Sequence, residues 1–347
     1  MNRLNLGVAY HGNRMLGRVR EDMLDIVNHN MNLVVHMFTH NDMNRNKNVM
    51  KDIFAATKDL GLDFWVDNWG LGGPPGDVSH ILQYFPDAHQ VYSDGRVDPV
   101  RACFNNPNFV HFTKNWIEMV KESGADKIFW DEPHLGIDKN GVYTCCCENC
   151  KKLFEERYGK PMPALVTDEV RAFQAETIKN YFGEVTAYAA SLGMENIVLL
   201  MPKSDAFKDA VADLPHVHNI GTDPDWVDEG VTPFQGTEVY EYVYTQTKKY
   251  MDTAKTIGKD SHMWVQTWAL PADREDEIYL AAEAAYDAGA RTIAAWSFRG
   301  GESNDYRCAN CDRVWDVTGD AMRRLKDRYV DEIREEARKL VQAAAKA

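Results

Sequence analysis

The chain has 347 residues and a formal net charge of -14, and 44% of its residues are hydrophobic, with nine Trp and fifteen Tyr. This composition is typical of a globular protein with a well-buried core. The negative charge argues against nucleic acid and anionic membranes as partners. The sequence contains no run of about 18 apolar residues to span a bilayer and does not open on a secretory signal. We therefore expect a cytoplasmic protein, unless a signal peptide has been removed, and leave open whether it forms a homo-oligomer.

Eight segments of the chain combine β-branched or aromatic residues with a polar or Gly-rich end, and a segment of helical periodicity follows each of them. The predicted strands are Leu4–His11, Asn32–Phe38, Asp63–Asn68, Lys127–Asp131, Asn196–Met201, Asn219–Asp223, Met263–Thr267 and Thr292–Ser297. Helices that stop at a glycine are predicted at Ala55–Leu60, Ile117–Ser123, Ala187–Leu192 and Ala281–Ala288. This alternation implies a parallel sheet, and eight units close most naturally into a (β/α)8 TIM barrel, with an open doubly wound sheet as the alternative.

Two connections are unusually long, namely residues 70–107 after the third strand and 133–167 after the fourth. Both belong to the barrel face that carries active sites, and loops longer than about 15 residues in a compact domain tend to be functional. We expect one barrel domain over residues 1–347 with these two loop insertions. The last helix is expected to begin near Asp316.

Almost every predicted strand ends in polar or aromatic side chains, which a barrel brings together at one face. The candidates for substrate binding are Tyr10, His11, His36, Asp67, Asn68, Trp69, His134, Trp226, Gln266, Trp268, Trp296 and Arg299, with Met201 and Lys203 at the fifth strand. Aromatic rings stack on the C–H faces of sugars, while carboxylates, amides and guanidinium groups bind sugar hydroxyls. The pattern predicts a carbohydrate ligand.

The apolar fourth strand runs into two adjacent carboxylates, Asp131 and Glu132. Burial and a neighbouring carboxylate both raise the pKa of a carboxyl group, as a general acid requires near neutral pH. We predict Glu132 as the acid. Hydrolysis of a glycosidic bond needs a second carboxylate across the bond. The sixth strand offers Asp225 or Asp223 for this role, and Asp67 is the reserve.

The seven cysteines are too few for a disulfide scaffold, and several of them crowd together in a way that indicates metal binding. The crowded residues are Cys145, Cys146, Cys147 and Cys150. A separate pair, Cys308 and Cys311, follows the eighth strand with Cys-x-x-Cys spacing. Together with Cys147 and Cys150 it forms one candidate four-cysteine site of standard zinc spacing.

Three segments of the chain resemble glycoside hydrolase family 42 and its β-galactosidase-like relatives. They are Arg101–Pro107, Trp130–Glu132 and Cys145–Cys150, the last followed by Phe154 and Tyr158. In order and spacing they match a Cys–Asn/Pro–Pro segment, an acid/base Glu ending the fourth strand, and a Cys-x-Cys-x-x-Cys knuckle. The resemblance covers roughly residues 100–160 and the general barrel plan.

The resemblance implies that Glu132 is the acid/base and that four cysteines bind zinc. The implied ligands are Cys103, Cys145, Cys147 and Cys150. Four thiolates leave no open position on a tetrahedral zinc ion, so the ion would be structural, and we expect no cofactor for catalysis.

The chain departs from this family at two positions. The seventh strand offers Gln266 with Thr267 and Trp268 where the family carries its nucleophilic Glu, and Asp131 stands where an Asn normally precedes the acid/base. These departures fit a divergent relative, or a member of another barrel family with the same knuckle.

Two alternatives to a glycoside hydrolase are left open. A divalent-metal-dependent sugar isomerase or epimerase would use strand-end ligands for Mn²⁺ or Mg²⁺, taken from His36, Asp67, Glu132, His134 and Asp223. A non-catalytic sugar-binding barrel would also lack a carboxylate on the seventh strand.

Overall fold

The computed structural model describes residues 3–69, 81–202, 205–227 and 234–344. Within them the strands are β1 (Asn5–Tyr10), β2 (Leu33–Met37), β3 (Asp63–Asp67), β4 (His89–Val91), β5 (Val97–Ala102), β6 (Lys127–Trp130), β7 (Glu195–Leu199), β8 (Asn219–Thr222), β9 (Asp260–Gln266) and β10 (Thr292–Trp296). The α-helices are α1 (Leu16–Asn28), α2 (Lys47–Asp59), α3 (Ile81–Tyr84), α4 (Pro107–Glu122), α5 (Glu148–Tyr158), α6 (Asp168–Ser191), α7 (Asp205–Val211), α8 (Thr237–Ile257), α9 (Glu277–Asp287) and α10 (Cys311–Ala344). Shorter helical turns span Asp42–Asn46, Pro86–Ala88 and Phe298–Gly301.

Eight of these strands form a closed barrel in the order β1-β10-β9-β8-β7-β6-β3-β2. The prediction of a (β/α)8 barrel is confirmed, and each predicted strand overlaps one barrel strand. The predicted glycine stops are confirmed as well. Gly61 and Gly289 follow α2 and α9 with φ angles of 75° and 107°, in the left-handed region that ends helices at low cost for glycine.

Two expectations about the connections need correction. The segment after β3 contains an antiparallel hairpin, β4–β5, which the sequence analysis treated as loop. Its turn is an Asp94–Gly95 pair with Gly95 at φ 91°, a turn signal that could have revealed it. The last helix, α10, begins at Cys311 and not near Asp316, because the Asn310 side chain accepts the N–H of Arg313 across 3.1 Å and caps the helix there.

The chain divides into two compact units. One comprises Met1–His36, Ala56–Phe64 and Gly221–Ala347, and the other comprises Met37–Ala55 and Trp65–Ile220. None of the described helices is long and apolar enough to cross a membrane.

In the first unit, glycines on barrel strands make room for large neighbours. A Cβ on Gly7 of β1 would lie 2.9 Å from Cγ of Leu33, its partner residue on β2. A Cβ on Gly221 of β8 would lie 2.4 Å from the ring of the fully buried His262 on β9. Since real Cβ contacts are never this short, close packing of the strands requires glycine at both positions.

In the second unit, aromatic residues pack on both faces of β6. Phe129 stacks on Trp65 of β3 with ring centroids 5.9 Å apart. On the opposite face Trp130 contacts Trp116 of α4, and its indole N–H donates to the Asn196 side chain across 2.9 Å. Alternation along β6 therefore puts Phe129 and Asp131 on one face and Trp130 on the helix-covered face.

Candidate active site

Glu132 follows β6 in an unusual backbone conformation. Its φ angle is 34°, in the left-handed region that non-glycine residues rarely occupy, and such strain concentrates at functional sites. The preceding residue, Asp131, is buried, and its N–H donates to the Asn68 side-chain oxygen across 3.1 Å. This bond ties the end of β3 to the end of β6 and fixes the backbone that carries the half-buried Glu132 side chain.

Asp67, the last residue of β3, is fully buried. Burial raises the pKa of this carboxyl well above its usual range; a hydrogen bond from the Trp69 backbone N–H offsets part of this rise, and the negative charge of Glu132 adds a smaller increase. The charge of Glu132 therefore acts on the Asp67 carboxyl. Trp69 itself is half-buried at the exit of β3.

His134 lies beside Glu132. Its Nδ1 is 2.8 Å from the Glu132 carbonyl oxygen, so in the neutral ring Nδ1–H donates and Nε2 keeps its lone pair. Burial lowers the pKa of His134, with Arg101 lowering it and Glu132 raising it. Arg101 was not among the predicted site residues, although it opens the Arg101–Pro107 segment. Its guanidinium is 3.8 Å from the Asp98 carboxylate.

In the first unit, two carboxylates follow β8. Asp223 and Asp225 are both half-buried, and the Asp225 N–H donates to the Asp223 carbonyl oxygen across 2.7 Å, which closes a γ-turn at Pro224. The next residue, Trp226, is fully buried, and its indole N–H donates to Glu277 across 2.9 Å. Trp226 thus anchors the segment that carries the two aspartates.

Gln266 holds the same segment from the end of β9. Its side-chain oxygen accepts the Val227 N–H across 2.9 Å, and its amide nitrogen donates to the carbonyl oxygens of Val227 and Trp268 across 2.8 and 3.2 Å. The Gln266 side chain is buried, and its amide group is used in these hydrogen bonds to the backbone. The sequence had instead predicted that Gln266 contacts the substrate.

Aromatic rings gather at the ends of β1, β9 and β10. His11 meets Trp296 edge to face at 4.9 Å, and burial lowers the pKa of His11 to about 4, so its ring is neutral near pH 7. Trp268 meets Tyr306 edge to face at 5.8 Å, and Tyr306 is 49% exposed. Trp268 and Trp296 are half-buried. Tyr306 follows no strand directly, so the pattern of strand-end residues does not predict it.

Three other candidates make contacts away from these groups. The Tyr10 hydroxyl donates to Asp22 of α1 across 2.5 Å, and His36 Nε2 lies 2.9 Å from the hydroxyl of Thr57 on α2, so both side chains belong to the strand–helix packing. The Arg299 guanidinium pairs with carboxylates of three residues, Asp25, Glu302 and Asp312. At the fifth barrel strand Met201 is half-buried, whereas Lys203 lies outside the described residues.

Four cysteines of the second unit form a buried cluster. They are Cys103, Cys145, Cys147 and Cys150, whose sulfur atoms all lie within 4.8 Å of one another. In the part of the chain that the structure describes, this is the one group of His, Cys, Asp or Glu side chains placed to share a metal ion. The thiols of the alternative pair, Cys308 and Cys311, each lie 3.4 Å from a backbone carbonyl oxygen, that of Thr267 and that of Cys308 respectively.

The geometry of the cluster fits a tetrahedral metal site. The sulfur of Cys103 is 3.4 Å from that of Cys150 and 3.6 Å from that of Cys147, while four bonds of about 2.3 Å to zinc imply sulfur separations of about 3.8 Å. Hydrogen bonds from Cys103, Cys145 and Cys150 lower the pKa of Cys147, so the cluster readily presents a thiolate. Cys103 follows the β4–β5 hairpin and the other three follow β6, so an ion here would join the two long connections.

No family model and no curated protein sequence matches the chain. Its fold is similar to the catalytic domain of β-amylase from Paenibacillus polymyxa (TM-score 0.61, 10% identity, 85% of this chain and 92% of that one). It is also similar to β-galactosidase from the psychrophilic Marinomonas ef1 (0.68, 11%, 93% and 60%) and to GH5_18 from Streptomyces cattleya in complex with GlcNAc (0.61, 14%, 94% and 81%). At these identities the likeness establishes a shared barrel fold.

Proposed function

We propose that this chain is a glycoside hydrolase whose general acid is Glu132. The observation that carries the proposal is the strained turn that holds a half-buried Glu132 at the end of the fourth barrel strand, beside the buried carboxyls of Asp67 and Asp131. Similar folds include a β-amylase and a β-galactosidase, which supports this class of reaction but assigns no residue.

The chemistry requires two carboxyl groups. One protonates the glycosidic oxygen as its bond to the anomeric carbon breaks, and the other attacks that carbon or activates a water molecule. We assign the first role to Glu132 and the second to Asp225 or Asp223, with Asp67 in reserve. The Gln266 amide, on the seventh barrel strand, is hydrogen-bonded to the Val227 backbone. This supports placing the second carboxyl group on the sixth barrel strand and not on the seventh.

We further propose that the substrate is a carbohydrate that stacks on the half-buried Trp268 and Trp296. The resemblance to glycoside hydrolase family 42 gains support from the cysteine cluster, because Cys103 joins three cysteines of the later knuckle in three dimensions. The chain would then be a divergent relative that has lost the seventh-strand nucleophile.

For the cysteine cluster we propose structural zinc. Buried sulfur ligands suit Zn²⁺, and four of them leave no position for water or substrate, so the ion would hold the two long connections and take no part in catalysis.

Replacement of Glu132 by Gln tests the proposed acid. On glycosides with poor leaving groups we expect kcat to fall by about 10²–10⁴-fold, because proton donation contributes that much to bond cleavage. Aryl glycosides with good leaving groups need less protonation and should lose less.

Asp225→Asn and Asp223→Asn are the matched variants for the partner. Loss of a nucleophile or base slows every substrate alike, since each one requires attack at the anomeric carbon. The assignment of Glu132 as the acid would be contradicted if Glu132→Gln kept near-normal rates on natural glycosides while Asp131→Asn was inactive. The roles of Glu132 and Asp131 would then be exchanged.

A further inference from the structure

We propose that Glu277 and Arg274, at the start of α9, are positioning residues for the second carboxyl group of the reaction. They hold the segment that carries Asp223 and Asp225 through the indole N–H of Trp226. Their role in catalysis rests on the proposed function, whereas their hold on the segment does not. Both act through the aspartate and not on the substrate.

The Glu277 carboxylate receives N–H groups from both ends of the connection between β8 and α8. Its Oε2 accepts the Trp226 indole N–H across 2.9 Å, close to the end of β8. Its Oε1 accepts the backbone N–H of Gly236, the residue before α8, across 2.8 Å. One carboxylate therefore ties the start of this connection to its end.

Arg274 completes the arrangement. Its Nε and Nη2 donate to Glu277 Oε2 across 2.9 and 2.7 Å, and Nη2 also donates to the Phe234 carbonyl oxygen across 2.5 Å. The Arg274 and Glu277 side chains are only 12% and 11% exposed. They stand three positions apart, and the Glu277 N–H donates to the Arg274 carbonyl oxygen across 3.1 Å, so the turn that begins α9 presents both on one side.

The bonding pattern requires a carboxylate at position 277. Four N–H groups from Trp226, Arg274 and Gly236 point at its two oxygens. Glutamine would present an N–H₂ group to at least one of these donors. A buried ion pair adds little stability compared with well-packed apolar side chains of similar volume. We infer that the pair is useful for the direction in which it holds its partners.

The hold on Trp226 reaches the aspartates through a short and constrained backbone. Between β8 and Trp226 the chain makes a γ-turn at Pro224, closed by the Asp225 N–H on the Asp223 carbonyl oxygen across 2.7 Å. The proline ring fixes φ at this turn. The next residue, Val227, is bonded through both its N–H and its carbonyl oxygen to the side-chain amide at the end of β9. The place of Trp226 therefore sets the direction of both aspartate side chains.

Trp226→Phe and Glu277→Gln test this role, with rates measured well below the unfolding temperature of each variant. We expect kcat to fall by about 10- to 100-fold, because small displacements of a reacting group have costs of this size. The loss should be equal on natural and aryl glycosides, with KM nearly unchanged. A raised KM with wild-type kcat overturns the proposal. Trp226→Phe keeps a ring in the core and removes only the N–H donor, so it gives a result even if Glu277→Gln does not fold.

Combination with the aspartate variants separates positioning from a general loss of structure. The background is whichever of Asp225→Asn and Asp223→Asn slows all substrates. Adding Glu277→Gln there should lower kcat by no more than about twofold, because residues that act as a unit are not additive. A further loss as large as in the wild-type background overturns the proposal. If neither aspartate variant slows the reaction, the role in catalysis is overturned as well.

Glu332→Gln is the matched control. Glu332 accepts the Tyr286 hydroxyl across 2.9 Å and the Arg291 guanidinium across 3.2 Å, near the other end of α9. This variant also breaks an ion pair of α9, but it should keep the wild-type kcat. Equal losses of kcat in Glu332→Gln and Glu277→Gln would show a general effect of broken ion pairs and overturn the proposal.

Hydrogen exchange of the backbone amides tests the hold on the segment without any activity. Glu277→Gln should speed exchange of the Val227 and Gly236 N–H groups together, since both ends of the connection are released, whereas Glu332→Gln should change neither. Unchanged protection of Val227 in Glu277→Gln overturns the hold. A wild-type protein without glycosidase activity overturns the proposed function and the role in catalysis, and hydrogen exchange then decides the hold by itself.

Discussion

Trp268 and Tyr306 meet edge to face at 5.8 Å and are both accessible enough to contact a ligand. We expect Trp268→Ala and Tyr306→Ala each to weaken sugar binding by about three- to tenfold, because an aromatic contact contributes about 0.5–1.5 kcal/mol beyond its buried area. Stability should change little. Titration calorimetry with the sugar and thermal unfolding measure the two effects.

Trp226→Ala is the control for this pair. Trp226 is fully buried and bonded to Glu277, so its loss should cost about 3–5 kcal/mol of unfolding free energy. If Trp268→Ala behaved in the same way while sugar affinity stayed unchanged, Trp268 would be a core residue and the stacking proposal would fail.

The sequence indicated the type of residue at the strand ends better than the environment of each one. Glu132 and Asp67 could be picked out because they stand at the ends of apolar strands, but the complete burial of Asp67 is visible only in three dimensions. Gln266 was expected to bind substrate because polar strand-end residues often do, yet its amide meets the Val227 backbone, a contact between residues 39 positions apart. Periodicity does not report contacts of that range.

The cysteine cluster joins two structural elements, the hairpin β4–β5 and the segment around α5. We expect about one zinc ion per chain in the purified protein, since four thiolates complete one tetrahedral site. Cys147→Ser should lose it. Cys146→Ser is the matched control, as Cys146 is a buried neighbour outside the cluster. Elemental analysis of both variants measures the difference, and full zinc content in Cys147→Ser would contradict the assignment.

Elements with strong local signals were predictable and those without them were not. The barrel strands and the glycine-ended helices follow from apolar periodicity and stop signals, which are local. The hairpin β4–β5 has only three residues in its first strand, and its second strand contains Pro99, which weakens the strand signal. The resemblance to a known family favoured one of the two possible four-cysteine sets, and the folded chain shows that the sulfur atoms of that set lie within 4.8 Å of one another.

At the scale of the whole molecule, stability should fall on mild acidification. Burial lowers the pKa of His36 and of His262 to about 3, from an ordinary value of 6.5. Their contribution to stability is complete above pH 6.5 and is lost as the pH falls toward 3, because the unfolded chain takes up protons that the folded one refuses. Each ring should contribute a slope of about 1.4 kcal/mol per pH unit in that window.

Urea unfolding between pH 5 and pH 7 measures this slope. The variant His262→Leu removes one imidazole ring, so about one proton fewer should be taken up when the protein unfolds, and the unfolding free energy should depend less steeply on pH. An unchanged slope would show that His262 does not titrate on unfolding. Asp67 acts in the opposite direction. Because its pKa is raised in the folded state, Asp67 favours folding at low pH and destabilises the folded state as the pH rises. Asp67→Asn should remove this destabilisation near neutral pH.

The close approach of Gly221 to His262 also constrains how relatives of this chain can diverge. Any side chain at position 221 would occupy the volume of the imidazole ring. The two positions must therefore change together: a relative with alanine or a larger residue at 221 needs a smaller one at 262, and single substitutions that break the match should be removed by selection. In an alignment, this pair should appear as covariation between adjacent strands.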